Sequence, residues 1–147
     1  MRAEDLDEQF PIVPVDSDAL DAARMVAEHG LPGLVVSDTA GKPHAVLLAS
    51  EMLQFVLPRY VQDNITLAGA LGDALADHAI ENLAGKTVGD VLPKQPRRIP
   101  SVDARDGVIK VAAEMAQQHC PLIAVTENGK LHGVITAARL LAAALKS

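Results

Sequence analysis

Aromatic residues are scarce in this 147-residue sequence, which has no tryptophan, one tyrosine and two phenylalanines. Proteins that bind single-stranded nucleic acid stack bases on aromatic rings, at about 1–3 kcal/mol per base, and this chain offers few such surfaces. Its formal net charge of −6 also opposes contact with a phosphate backbone, which requires a positive field. Nucleic acid is therefore not expected as a partner.

The sequence also has a single cysteine, Cys120, and no apolar run close to the roughly 20 residues that span a bilayer. One cysteine cannot form an internal disulfide. The first nine residues are acidic, whereas a secretion signal would be basic and then apolar. These features predict a cytoplasmic protein without direct membrane insertion.

What the sequence does contain is an internal repeat. Residues 11–36 align with residues 100–125 at an offset of 89, which matches Pro11 with Pro100 and Pro32 with Pro121. One residue is then lost, and residues 41–46 align with 129–134 at an offset of 88. Self-similarity over this length indicates two copies of one supersecondary unit.

Each copy predicts the order strand, helix, strand, strand, helix. Apolar residues recur at i, i+3, i+4, i+7 and i+8 over residues 19–27 and 108–116, with Asp18 and Asp106 as candidate N-caps. Residues 34–36, 44–48, 122–125 and 132–135 predict the following strands. Helices over 51–57 and 137–145, the latter capped by Thr136, complete the two copies.

Between the copies, apolar residues at helical spacing over 66–84, followed by Gly85, predict an inserted helix. The predicted organisation is a first repeat at 9–57, a helical connector at 58–86 and a second repeat at 87–146.

Two such units, with V-G-D-V-L-P at 88–93 and G-V-I-T at 133–136, resemble a tandem pair of cystathionine-β-synthase (CBS) domains. The sequence is also similar to stand-alone actinobacterial CBS-pair proteins. The resemblance implies an α/β (α+β) fold in which two repeats pack as a pseudo-two-fold pair. It also implies a homodimer formed through helices.

The function implied by the resemblance is that of a non-enzymatic regulatory module. Its ligands are commonly adenine-containing, such as AMP or ATP, and no cofactor is required. As a class, such pairs regulate transporters, channels and metabolic enzymes, so a separate effector protein is the expected partner. The alternative is a pair that has lost ligand binding and acts as a dimerisation or docking scaffold. An enzyme using Cys120, or the carboxylates and histidine of the inserted helix, is a third hypothesis, which no catalytic motif supports.

The family's ligand motif, G-h-h-[ST]-x-x-[DN], is incomplete in both copies. The second copy has the hydroxyl of Thr136 but carries Arg139 where the ribose-binding acid is expected. The first copy has Leu48 and Glu51, an acid without the hydroxyl. Because a guanidinium only donates hydrogen bonds, Arg139 cannot accept from a ribose diol, and adenine nucleotides are expected to bind weakly.

Charge favours an anionic ligand in the second copy's cleft, because Lys94 and three arginines are expected there and the equivalent stretch of the first copy is acidic. The alternative is that these arginines are solvated surface charges. No metal site is expected, because the acids and His78 of the inserted helix fit a solvated helix face. The predicted ligand-binding residues are Arg97, Arg98, Ile99, Pro100, Cys120, Pro121, Leu122, Thr136 and Arg139.

Overall fold

The computed structural model describes residues 1–57 and 74–146, in which the predicted unit occurs twice. The predicted helix over 66–84 is helical from Ala74 to Leu83, and the start predicted for it lies outside the described residues. In chain order the elements are α1 (Ala3–Leu6), β1 (Ile12–Pro14), α2 (Ala19–His29), β2 (Gly33–Ser37), β3 (Pro43–Leu48), α3 (Ala49–Val56), α4 (Ala74–Leu83), α5 (Val88–Val91), β4 (Ser101–Asp103), α6 (Val108–Gln118), β5 (Leu122–Glu127), β6 (Lys130–Thr136) and α7 (Ala137–Leu145).

Each repeat forms its own three-stranded sheet, in the orders β1-β2-β3 and β4-β5-β6. The first pair of strands is parallel and the second antiparallel in both sheets. An irregularity in register falls at equivalent places, between Val36 and Ser37 and between Val125 and Thr126. The predicted fold class is thereby confirmed.

The central strands are largely apolar because both of their faces are covered, with Ser37 at the end of β2 as a buried polar residue. In β2, Leu34 and Val36 belong to a core shared with the helices of the first repeat, whereas Val35 belongs to a core between the two sheets. That second core also contains Val46, Cys120, Leu122 and Val134. Side chains alternate across a strand, so one apolar run supplies both layers.

Two short helices are exchanged between the repeats. Ala3 and Leu6 of α1 are buried in the helical core of the second repeat. Val88 and Val91 of α5 are buried in that of the first. The linkers that follow these helices therefore cross from one repeat to the other. The N-terminal linker (residues 7–11) pairs at Glu8 with β6, and the central linker (residues 92–100) pairs at Arg97 with β3.

Helix starts confirm two predicted caps and correct a third. The side chain of Asp18 accepts from the N–H of Asp21, and Thr136 accepts from Arg139. The prediction for Asp106 was wrong: Gly107 is the N-cap of α6, and the Asp106 carboxylate accepts instead from the N–H of Asp103. In the part of the chain that the structure describes, no helix is long and apolar enough to cross a bilayer.

Candidate functional site

A cleft of about 520 Å³ lies between the two repeats. One wall is the N-terminal linker, and the others are the turn before β2, the turn before β5 and the start of α7. The walls come from both repeats, so the shape of the cleft depends on how the two repeats are arranged. The residues that line it are Glu8, Gln9, Phe10, Pro11, Gly30, Leu31, Pro32, Pro121, Thr136, Ala137 and Ala138.

Backbone hydrogen bonds fix these walls. Glu8 pairs with Val134 of β6 through two bonds, of 2.9 and 3.0 Å, which place the N-terminal linker beside the end of that strand. The N–H of Ala137 donates to the carbonyl of Pro121 at 2.9 Å and thus ties the start of α7 to the turn before β5. The cleft has a defined shape because its walls belong to the hydrogen-bonded framework.

The polar end of the cleft is at the start of α7. The first N–H groups of a helix have no intrahelical partner. Those of Ala137 and Arg139 are satisfied by Pro121 and by the Thr136 hydroxyl, the latter at 3.2 Å. The N–H of Ala138 has no partner among the described residues, and Ala138 lines the cleft. This end can accommodate an anionic group, whereas the linker and turns supply Phe10, Leu31 and prolines.

Arg139 lies at the edge of the cleft beside the N-terminal linker. Its Nε donates to the carbonyl of Leu6 and lies 3.5 Å from Oε1 of Glu8. The two charged side chains are about half exposed, at 44% for Arg139 and 49% for Glu8. A second cavity of about 490 Å³, lined by Arg139 and Lys146 among others, shares Glu8, Thr136 and Ala138 with the cleft.

The nine predicted ligand-binding residues are not gathered in one place. Pro121 and Thr136 line the large cleft, and Arg139 lines the adjoining cavity. Arg97 lies on the central linker, where its carbonyl accepts from Val46 and its guanidinium donates to carbonyls at the end of α6. Of the others, Arg98 is exposed and Pro100 half-buried, and the core between the sheets includes or contacts Cys120, Leu122 and Ile99.

The expected division into a cationic and an acidic cleft was wrong. It assumed that each linker lies against its own repeat, whereas each crosses to the other. Acidic Glu8 therefore meets Arg139 of the second repeat, and basic Arg97 lies beside β3 of the first repeat, the strand that leads to Glu51. Both sides contain one acid and one base from different repeats.

Sequence reasoning missed the cleft residues of the N-terminal linker and the Gly30–Leu31 turn. The repeat alignment held a usable signal, because at an offset of 89 Glu8 matches Arg97 and Phe10 matches Ile99. The alignment does not show that each linker packs against the other repeat.

An ionic contact holds the N-terminal linker in place next to the cleft. The Asp7 side chain is almost fully buried, at 7% exposed, and contacts Nδ1 of His132 on β6. Hydrogen bonding to Asp7, and then the charges of Asp7, Glu127 and Glu4, raise the pKa of His132 against a smaller opposing effect of desolvation. Gly133 permits the approach, since a Cβ there would lie 2.6 Å from Oδ2 of Asp7 and 2.9 Å from the carbonyl oxygen of Glu8.

Neither a reactive thiol nor a metal centre is found in the described part of the chain. Cys120 is buried, at 3% exposed, within the core between the sheets. The side chains that the structure describes include no group of three or more His, Cys, Asp or Glu placed to bind a metal ion. The side chains of His78 and of two acids on the predicted inserted helix, Asp73 and Asp77, lie outside the described residues.

The sequence model of the CBS domain matches the chain twice, at residues 3–58 and 88–146. The chain belongs to the CBS domain family. A CBS domain-containing protein of unknown function from Kribbella flavida DSM 17836, an actinobacterium, is 47% identical, and the match covers 99% of each chain with a TM-score of 0.87. Both CBS matches begin at the first residue of an exchanged helix, so each CBS unit includes a helix that packs in the other unit's core.

More distant CBS structures share the fold. The CBS-pair protein CBSX2 from Arabidopsis thaliana is 19% identical over 99% of this chain and 94% of its own, with a TM-score of 0.74. A structure of CBSX2 in complex with AMP is likewise 19% identical, over 99% and 96%, with a TM-score of 0.68. None of the curated proteins compared with the chain matches it. CBS pairs are in general regulatory, ligand-binding modules without catalytic activity.

Proposed function

We propose that this CBS pair is a non-enzymatic regulatory module that binds an anionic, adenine-containing ligand in the cleft between its repeats. The observation that carries the proposal is the cleft itself, about 520 Å³ with largely apolar walls and a polar end at Thr136 and Ala138. Small-molecule sites generally combine apolar enclosure with a few convergent polar groups. The AMP complex of CBSX2 supports an adenine nucleotide as the class of ligand.

A mechanism of signalling is suggested by the fact that the walls of the cleft come from both repeats. A ligand can shift a conformational equilibrium only by binding one arrangement more tightly than another. This cleft takes its walls from both repeats, so a ligand within it favours one relative arrangement of the two. We propose that a separate effector, such as a transporter or a metabolic enzyme, responds to that arrangement.

Of the residues predicted from sequence, we propose that Thr136 and Pro121 contact the ligand and that Arg139 acts from the cleft edge. Arg97, Arg98, Ile99, Pro100, Cys120 and Leu122 belong in this proposal to the opposite, symmetry-related side of the pair. The Arg97 guanidinium there is already bound to the carbonyls of Gln118 and His119, which favours the Thr136 side as the ligand site.

Calorimetric titration of the full chain with AMP and with ATP tests the proposal. We expect saturable binding, and a loss of about tenfold in affinity in Thr136→Val, because the variant removes a hydroxyl that can hydrogen-bond a phosphate. Thr136→Ser keeps both hydroxyl and helix cap and should bind like the wild type. Thr126→Val, on β5 outside the cleft, is the matched control. Wild-type protein that binds neither nucleotide at millimolar concentration would contradict the proposal.

The scaffold function is the second candidate, and exposed leucines favour it. Leu53 on α3 and Leu141 on α7 occupy equivalent positions in the two repeats and are 55% and 60% exposed. Leu145, one turn after Leu141, is 77% exposed. Apolar groups left on the equivalent helices of both repeats indicate an interaction surface, and we propose that it forms a homodimer.

Sedimentation equilibrium of the full chain tests the dimer. We expect twice the chain mass of 15.5 kDa at micromolar concentration. Leu141→Asp should shift the protein to monomer, because it places a charge in the interface. Ile109→Asp, which changes an 85% exposed residue on α6, is the control. A dimer without any nucleotide binding would favour the scaffold, and a monomeric wild type would exclude a homodimer.

A further inference from the structure

Glu8 is the acidic residue among the described residues that line the cleft. Its main chain is fixed by two hydrogen bonds to Val134, two residues before Thr136. Its side chain remains about half exposed, and Oε1 lies 3.5 Å from Nε of Arg139. A carboxylate is thus held at the polar end of the cleft by a rigid backbone on one side and a guanidinium on the other.

We propose that Glu8 is the hydrogen-bond acceptor for the cis-diol of a ribose bound in this cleft, and that Arg139 is the positioning residue that orients it. This inference rests on the proposed function and deepens it, because it makes the ligand a ribonucleotide. An ionised carboxylate offers about four lone-pair sites on two oxygens, so contact with Arg139 leaves acceptors for two hydroxyl donors.

Arg139 is suited to orient Glu8 because its own position is fixed. Its main-chain N–H donates to the Thr136 hydroxyl, and its Nε donates to the carbonyl of Leu6. Leu6 is two residues before Glu8 and is buried, so Arg139 contacts the N-terminal segment on both sides of Asp7. Arginine is thereby compatible with ribose binding at position 139, since the acceptor comes from the linker and not from the helix.

The other groups that line the cleft fit the phosphate and the base of a nucleotide. Thr136 and the N–H of Ala138 lie beside Glu8 at the start of α7 and suit a phosphate. Phe10 and Leu31 form apolar walls that suit a base. Ribose joins base to phosphate, so its diol acceptor must be close to both regions. Glu8 lies two residues before Phe10, and its backbone pairs with Val134, two residues before Thr136.

The opposite side of the pair lacks an acid on its linker. Arg97 aligns with Glu8, and the acid of that side, Glu51, lies on α3, where its Oε1 accepts from the N–H of Leu48 at 2.9 Å. The inference therefore also predicts one ribonucleotide per chain.

Calorimetry with AMP, 2′-deoxy-AMP and 3′-deoxy-AMP tests this assignment on the full chain. We expect the wild type to prefer AMP over either deoxy analogue by about tenfold, as is typical for a hydrogen bond to a charged group. Glu8→Gln should reduce that preference to about twofold or less, because the amide retains one acceptor oxygen and no charge. Arg139→Lys keeps the charge without the fixed Nε–H and should lower the preference only partly.

Glu4→Gln is the matched control, because it removes the same charge from α1 outside the cleft and should keep the full preference for AMP. Equal thermal stability of Glu8→Gln and wild type confirms that the variant is folded. If the wild type binds AMP and the deoxy analogues equally, or if Glu51→Gln abolishes the preference and Glu8→Gln does not, Glu8 is not the acceptor and the proposed function still stands. If the wild type binds no adenine nucleotide, both fail.

Discussion

The two sides of the CBS pair carry the same kinds of charge in exchanged positions. On one side the linker supplies an acid, Glu8, and the last helix a base, Arg139; on the other the linker supplies Arg97 and the helix Glu51. Their hydrogen bonds differ. Glu51 is engaged by the N–H of Leu48 and Arg97 by two carbonyls, whereas Glu8 remains half exposed. The comparison teaches that the same residue types, placed in exchanged positions, enter different hydrogen bonds on the two sides.

The largest effect expected from this comparison comes from substituting Gly133, which faces the N-terminal linker, and its equivalent in the first repeat. Gly133 has its equivalent in Ala45, which is fully buried on β3. Gly133→Ala would place a methyl group against Asp7 and the backbone of Glu8, and we expect a loss of about 1–3 kcal/mol in the free energy of unfolding. Ala45→Gly should cost about 1 kcal/mol or less.

Urea denaturation of both variants measures these changes. AMP titration should separate them further, since displacement of Glu8 weakens binding in Gly133→Ala only. Equal losses of stability together with unchanged AMP binding in both variants would show that the N-terminal linker adjusts freely, and the two sides would then be equivalent.

A smaller effect is expected from the pH dependence of stability. The folded-state pKa of His132 is raised by Asp7, so the stabilisation from this pair is complete below the ordinary value of 6.5 and is lost as pH rises through the folded value. His132→Gln should therefore lower the thermal midpoint more at pH 5.5 than at pH 8.5, two pH values that lie roughly one and two units from the ordinary pKa.

His44→Gln provides the control. His44 is the exposed equivalent of His132 in the first repeat, and position 96, which aligns with Asp7, is a proline. The variant should show the same pH dependence as the wild type. A His132→Gln variant whose deficit is constant over this range would refute a contribution from the ionic pair.

Much of the fold could be predicted from periodicity, because helices and strands follow from the local spacing of apolar residues. The caps at Asp18 and Thr136 could be predicted for the same reason, because each side chain binds an N–H three residues further along the chain. The predicted cap at Asp106 was wrong, because the helix begins one residue later, at Gly107, and the Asp106 carboxylate accepts from the N–H of Asp103. The site was harder to predict: α1 has four residues, and nothing in their spacing indicates which repeat buries Ala3 and Leu6.

The exchange of α1 and α5 also affects whether one repeat can fold without the other. A chain divided between its repeats would give two fragments, each holding a helix that completes the interior of the other. Neither fragment would be self-sufficient, and a chain with one copy could fill its interior only by trading that helix with a second molecule. Because both repeats lie on one chain, they are covalently joined in an assembly that single copies would have to form by domain swapping.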